Sequence, residues 1–269
     1  MARLEHADGV VGVGDELATQ ADGHALGHRL DARRTRIVPD RLLSGAGNVG
    51  ADRGGKARHA PTVRPSVLTG RMTVMPMFPL GSVLFPHTPL PLRVFEPRYL
   101  RLMGELLDSD DPQFGVVLID RGHETGGGDQ RSDIGTLARL VDVAAGADAL
   151  QVVAVGTDRF TVDRWLDDDP YPRAEVTLQE PLPWNDALTP LRTEAEAIVR
   201  RVLGRFPDAP WGAHIELSSD PVAAAWQIAA IAPLVEYDQQ RLLRATTMGG
   251  LLQQIIDLTL EVDEIWPEG

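Results

Sequence analysis

Ser82, Ser109, Ser132, Ser218 and Ser219 are the serines of the long C-terminal part of the chain, and each could in principle serve as a nucleophile. None sits in the Gly-x-Ser-x-Gly elbow that exposes and activates a serine. The chain has no cysteine, which removes thiolate nucleophiles, thiolate zinc ligands and disulfides. Its single lysine is Lys56, and every basic side chain after it is arginine or histidine. A P-loop lysine, a Ser-Lys dyad and a Schiff-base lysine therefore have no counterpart in the following sequence. His87, His123 and His214 lack metal-ligand spacing, and zinc is not expected. His123-Glu124 stands beside Gly126-Gly127-Gly128, the composition of a solvated loop. Asp108, Asp110, Asp111 and the run Asp167–Asp169 lack the order of an EF-hand loop and suit solvated turns. Gly12-Val13-Gly14 does not complete a dinucleotide fingerprint. No catalytic, metal or cofactor site is expected.

The elements that would position any site change in kind along the chain. Residues 1–71 contain no aromatic residue, whereas all 14 lie at Phe78 or later, and they hold 11 of the 26 glycines. Without apolar periodicity such a segment cannot bury enough surface to offset its ordering entropy. Residues 1–72 are expected to be a disordered tail, or else the genuine start is Met72 or Met75. From Thr73 to about Gln179 short apolar runs recur: Val83–Phe85, Leu90–Phe95, Phe114–Ile119, Thr136–Val143, Leu150–Val155, Phe160–Trp165 and Ala174–Leu178. Turn residues separate most of them, including Gly156-Thr157-Asp158 and Asp167–Pro170, which predicts a β-rich lobe over 73–182. A helix opening at Glu96-Pro97 interrupts it, with Tyr99, Leu102, Met103, Leu106 and Leu107 as its apolar stripe. Residues 183–269 read as a helical lobe. Helices are expected after Thr189-Pro190, after Asp220-Pro221, over about 236–245, and after Thr247. The fold class predicted is α+β.

Charge limits the partners. Residues 1–71 carry 11 basic and 8 acidic side chains, and the remainder carries 15 basic and 31 acidic, a net of −16. A body this acidic repels phosphate backbones and anionic lipid surfaces, so neither nucleic acid nor membrane is an expected partner. No apolar run reaches the length of a membrane span, and the N-terminus lacks the pattern of a secretory signal. A cytoplasmic location is expected.

One block is distinctive: Met77-Phe78-Pro79-Leu80-Gly81-Ser82-Val83-Leu84-Phe85-Pro86, followed closely by Pro89-Leu90-Pro91-Leu92-Arg93-Val94-Phe95-Glu96-Pro97-Arg98-Tyr99. It resembles the opening of the N-terminal, substrate-binding domain of Lon proteases. Ile134-Gly135-Thr136-Leu137-Ala138-Arg139-Leu140 is similar to that family's central strand. Val155-Gly156-Thr157-Asp158-Arg159-Phe160 is similar to its later Gly-x-x-Arg-Phe turn, and Tyr171–Glu175 to the strand closing the β lobe. The resemblance covers about Met75 to Trp266. It implies a PUA-like β pseudo-barrel followed by a small helical bundle, acting in the recognition of unfolded or damaged polypeptides, with a protease or chaperone as a further partner. The ATPase and protease modules of full-length Lon have no matching positions, so no active-site residue carries over. The chain then resembles the shorter, stand-alone bacterial members.

The residues of the block are read first as fold determinants. Pro79, Pro86, Pro89 and Pro91 set extended or turn conformations where no ladder hydrogen bond is needed. Phe78, Leu84, Phe85, Leu92 and Phe95 are expected in the barrel core, and Phe95→Ala would then cost about 3–5 kcal/mol. Leu80, Tyr99, Gly135, Arg139, Gly156, Arg159 and Phe160 complete the set, while Glu96 and Arg98 flank the helix start, with Arg98 as a buried or half-buried ion-pair partner. The function expected is a non-catalytic polypeptide-binding module of protein quality control. Two alternatives stand beside it: a small-molecule site in the barrel, and a peptidase. Deleting residues 1–71 should leave the thermal unfolding midpoint essentially unchanged, as followed by calorimetry; a drop of several degrees would show that this segment packs on the body.

Overall fold

The computed structural model describes residues 72–121, 130–206, 211–212 and 214–265. The expectations for residues 1–71, and for most of the glycine-rich loop after Arg121, lie outside the described residues. Six strands are present: β1 (Met72–Leu80), β2 (Pro89–Val94), β3 (Gln113–Arg121), β4 (Gln130–Ala145), β5 (Leu150–Trp165) and β6 (Arg173–Leu178). Helix α1 (Pro97–Leu107) falls between β2 and β3. After a 3-10 turn at Asp186–Leu188 come α2 (Thr189–Leu203), α3 (Pro221–Ile231), α4 (Glu236–Leu243) and α5 (Met248–Ile265). The architecture is α+β, as expected. Met72 already pairs with Thr177, so β1 begins one residue ahead of the predicted boundary.

The helices begin where the sequence signals place them. Pro97 opens α1 behind an extended Glu96, and Tyr99, Leu102, Met103 and Leu106 are its buried face. The Asp220 carboxylate caps α3 by accepting the Ala223 amide at 2.8 Å, and Pro221 follows at the first turn.

The sheet runs in the order β2–β5–β4–β3–β1–β6, with β1–β3 parallel and the other pairs antiparallel. β5 pairs with β6 as well. Hydrogen bonding therefore passes from β6 through β1, β3, β4 and β5 and returns to β6. The length of β5 makes this circuit possible: Leu150–Val155 pair with β2, and Phe160–Trp165 pair with β6. Here the expectation of two strands parted by a turn at Gly156-Thr157-Asp158 is corrected. The strand is continuous, and the register slips between Thr136↔Arg159 and Ala138↔Gly156. Glycine stands at position 156 for closeness rather than for a turn, because a Cβ there would meet the Phe85 carbonyl oxygen at 2.1 Å.

Each strand of the circuit contributes to one small core of Met77, Val117, Leu137, Phe160, Ala174 and Val176. Phe160 is completely buried, and its ring tip fills the space that a Cβ at Gly135 would enter, 2.6 Å away. The opposite face of β1, β3 and β4 presents Phe78, Phe114, Val116 and Ala138 to α1, where Phe78 stacks on Tyr99 at 4.0 Å. Strand alternation thus divides adjacent residues between two cores. The third and largest core is helical, yet it takes in Phe85, Ile134 and Leu182 from the β-rich part of the chain.

Three further expectations are corrected. Val83–Phe85 is not a strand but part of the irregular crossing from β1 to β2. Phe85 lies in the helical core instead of the core under α1, because that crossing carries it over the edge of the sheet. Phe95 is half-buried and belongs to none of the three cores; the alternation that buries Leu92 and Val94 turns Phe95 to the opposite face of β2's line, beside Arg93. Phe78→Ala should cost about 3–5 kcal/mol in urea melts and Phe95→Ala about 1–2 kcal/mol. Equal losses would mean that Phe95 is as deeply packed as Phe78.

Candidate functional site: the seam between the lobes

The distinctive sequence blocks converge on the seam between sheet and helices. The crossing from β1 to β2 has no strand partner along its middle, so its backbone groups are satisfied individually. Thr136 Oγ1 donates to the Leu84 carbonyl at 2.6 Å, and Thr88 Oγ1 donates to the Phe85 carbonyl at 2.7 Å. The His87 amide donates to the Gly156 carbonyl at 2.8 Å, and the Gly156 amide to the Thr88 carbonyl at 2.9 Å. His87 reverses the chain with φ at 60°, a left-handed conformation that is unfavourable for a residue with a side chain. Its carbonyl accepts from Gln227 Nε2 at 3.1 Å, and Gln227 Oε1 accepts the Ser218 amide at 2.7 Å. One helix glutamine therefore ties the crossing to the loop before α3.

Phe85 stacks against Trp226 of α3, with centroids 6.0 Å apart. On the same indole, 5.2 Å from the ring centroid, lies the guanidinium of Arg159. Arg159 is 5% exposed, and its Nη1 donates to the carbonyls of Leu243 at 2.8 Å and Ala245 at 2.6 Å. The first of these carbonyls is that of the last residue of α4 and the second lies just past its C-cap, where helix geometry leaves acceptors unpaired and the macrodipole is negative. Burial pulls the guanidinium below its usual pKa, although arginine stays charged at any ordinary pH. Beside it, Gln240 Nε2 donates to Ser132 Oγ at 2.5 Å and to the Ile134 carbonyl at 3.2 Å. Arg244 pairs with Asp133, whose carboxyl the arginine holds below the usual carboxylate range.

The structure brings some of the sequence-predicted residues together and leaves others apart. Phe85, Gly156 and Arg159 meet at the seam, with Pro86 buried beside Phe85. Phe78 and Tyr99 meet under α1, and there Arg98 pairs with Glu96 at 3.0 Å while lying 4.6 Å over the Tyr99 ring. Gly135 and Phe160 meet inside the strand circuit. Pro79 and Leu80 are buried in β1, Leu92 is buried in β2, and Pro91 is exposed on β2, which among the described residues pairs with β5 alone. Arg139 is remote from the seam and pairs with Asp111 at 2.9 Å near the surface.

Gln227, Gln240 and Arg244 are seam residues that sequence reasoning missed. Gln227 had a detectable signal, being the single polar residue in the otherwise apolar run Pro221–Ile231. A buried glutamine in such a run must find partners, and those partners lie on another element. Chemically the seam holds hydrogen-bonded amides and carbonyls, the guanidinium groups of Arg159 and Arg244 and the Asp133 carboxylate, and among its described residues no serine or histidine is paired with a base. Ser109 and Ser218 accept backbone amides of their own turns. Among the described residues no three His, Asp or Glu side chains are grouped to hold a metal ion. Arg159→Met should destabilise the protein by about 2–5 kcal/mol in urea melts, since two carbonyls and a helix end lose their donor. Arg159→Lys should recover part of that loss; a neutral Arg159→Met would mean that the lobes are held by apolar packing alone.

Comparison with known proteins bears on the same residues. The family of the ATP-dependent protease La (LON) substrate-binding domain matches residues 74–260. Lon protease 2 of Sorangium cellulosum (strain So ce56) is 31% identical over 191 residues, covering 64% of this chain and 22% of that protein. Lon protease 4 of the same organism is 36% identical over 105 residues, 38% of this chain and 13% of that protein. The chain thus spans less than a quarter of either relative. A Lon N-terminal domain protein from Xanthomonas campestris, known from its crystal structure, is 30% identical with a TM-score of 0.51, covering 69% of this chain and 98% of its own. The N-terminal domain of Mycobacterium avium complex Lon protease, 17% identical, shares the fold with a TM-score of 0.51 over 70% of this chain and 99% of its own. With its motifs built into one continuous fold and the family match spanning most of its length, the chain belongs to the Lon substrate-binding domain family.

Proposed function

We propose that residues 73–269 act as one non-catalytic polypeptide-binding unit, an adaptor or holdase for exposed apolar segments in cytoplasmic protein quality control. The observation that carries this reading is the family match over residues 74–260, to a domain described by its binding of substrate. The motif residues support it indirectly. Most of them are buried in cores or hold the seam, which leaves recognition to the surface. The circuit of five strands is, in this reading, a PUA-like pseudo-barrel whose interior is filled by Phe160 and its neighbours.

Two kinds of client are separable by salt. Capture through the acidic surface would favour basic partners and weaken as salt rises. Capture through apolar contacts would persist with neutral unfolded chains and change little with salt. Unfolded clients share apolar segments rather than a common charge, so the apolar component should dominate. A reduced, unfolded neutral protein should bind with a Kd of about tens of micromolar at both low and high salt. A folded basic protein should bind more weakly and lose most of its affinity at high salt. Casein should remain uncleaved with or without ATP. Failure of the unfolded protein and of its peptides to bind would overturn the substrate-binding reading.

A further inference from the structure

β2 differs from the other strands in having a single strand neighbour. β6 stands at one end of the strand order but is closed by β5, whereas β2, at the other end, pairs among the described residues with β5 alone. It is nonetheless an apolar strand, with Leu92 and Val94 buried and Leu90 half-buried. The open edge of such a strand is ordinarily a template for pairing with another chain.

The register determines what this edge presents. The Gly156 amide donates to the Thr88 carbonyl, so position 88 turns its backbone toward β5. In an antiparallel ladder, successive residues turn their backbone groups alternately toward the partner and away from it. Leu90, Leu92 and Val94 therefore turn toward Ala154, Val152 and Leu150, and Pro89, Pro91 and Arg93 turn away. Neither proline has an amide hydrogen, and a ring methylene stands where it would be. The outer edge thus offers the carbonyls of Pro89, Pro91 and Arg93, but only the amide of Arg93. Arg93 also sets a charge there, its guanidinium pairing with Asp148 and lying 6.0 Å from the Phe95 ring centroid. An incoming strand could give hydrogen bonds to this edge and receive almost none, so its own carbonyls would lose water without gaining partners.

We propose that Pro89 and Pro91 bar the free edge of β2 to a further strand, and so keep a second copy of this chain from pairing there. Within a sheet, proline ordinarily gives up a ladder hydrogen bond. Here neither proline gives one up, because both stand at positions that turn away from β5. These are the positions where an amide would serve only another chain. The assignment is independent of the polypeptide-binding reading, since it concerns how the chain meets copies of itself.

The test uses the full chain. The double variant Pro89→Thr/Pro91→Thr restores both outward amides with a residue suited to strands. In sedimentation velocity from tens to hundreds of micromolar, it should self-associate at least about tenfold more tightly than the wild type. Hydrogen exchange followed by NMR should show the amides at positions 89 and 91 gaining protection as its concentration rises. Pro183→Thr replaces an exposed proline outside the sheet and should leave association unchanged. Circular dichroism melts check that each variant folds. A folded double variant that associates no more tightly than the wild type would overturn the proposal, and so would equal association by Pro183→Thr. The wild type gives a reading that needs no variant. Its Arg93 amide should exchange at least about tenfold faster than those of Leu92 and Val94. Equal protection would mean that the outer edge is already paired, and the proposal would fall.

Discussion

A buried guanidinium without a carboxylate is tolerable only where other acceptors surround it, and Arg159 has found such a place at the end of α4. From the middle of β5 it donates to two carbonyls that helix geometry leaves unpaired, and it lies over the indole of Trp226 in α3. Carried on a strand, its head group therefore touches the end of one helix and the indole of another at once. Geometry around it follows from that constraint. β5 must remain a strand through Gly156 to present Arg159, and the slipped register against β4 is where this adjustment is taken up. Phe85 must then cross close to Gly156 to reach the same indole.

The seam is consequently continuous in packing and in hydrogen bonding. Gln227 holds the backbone of His87, Gln240 holds Ser132 and Ile134, and the hydroxyls of Thr88 and Thr136 satisfy the carbonyls of the crossing. Such a junction resists hinge motion, because opening it would strip partners from several buried polar groups together. The two lobes are therefore joined as one support, through these buried groups and the packing around them.

The surface carries its charge as locally paired arginines and a surplus of carboxylates. Arginines on the body pair with nearby carboxylates, as Arg139 does with Asp111 and Arg164 with Glu175. These exposed pairs add little to stability. They do neutralise much of the positive charge locally, so the excess of carboxylates sets the field that an approaching chain experiences.

The sequence by itself determined the family, the α+β class and most element starts, because these depend on neighbours in the chain. Pro97 and Asp220-Pro221 act within a single helical turn, and alternation along β1 and β2 sorts Phe78, Leu80 and Leu92 inward. It also marked Gly135, Gly156 and Arg159 as special. What each of them meets was decided only by tertiary structure. Arg159 bonds carbonyls 84 and 86 residues away, and Phe85 joins a helical core that local pattern would not assign to it. Gly156 signals a turn by composition, yet it serves a backbone approach that no local pattern encodes. Phe95 fails for a different reason: its apolar character suggested burial, but alternation with the buried Leu92 and Val94 turns it to the other face, beside Arg93. Partners that lie far apart along the chain leave no periodic trace, since their pairing is set by packing after the elements have formed.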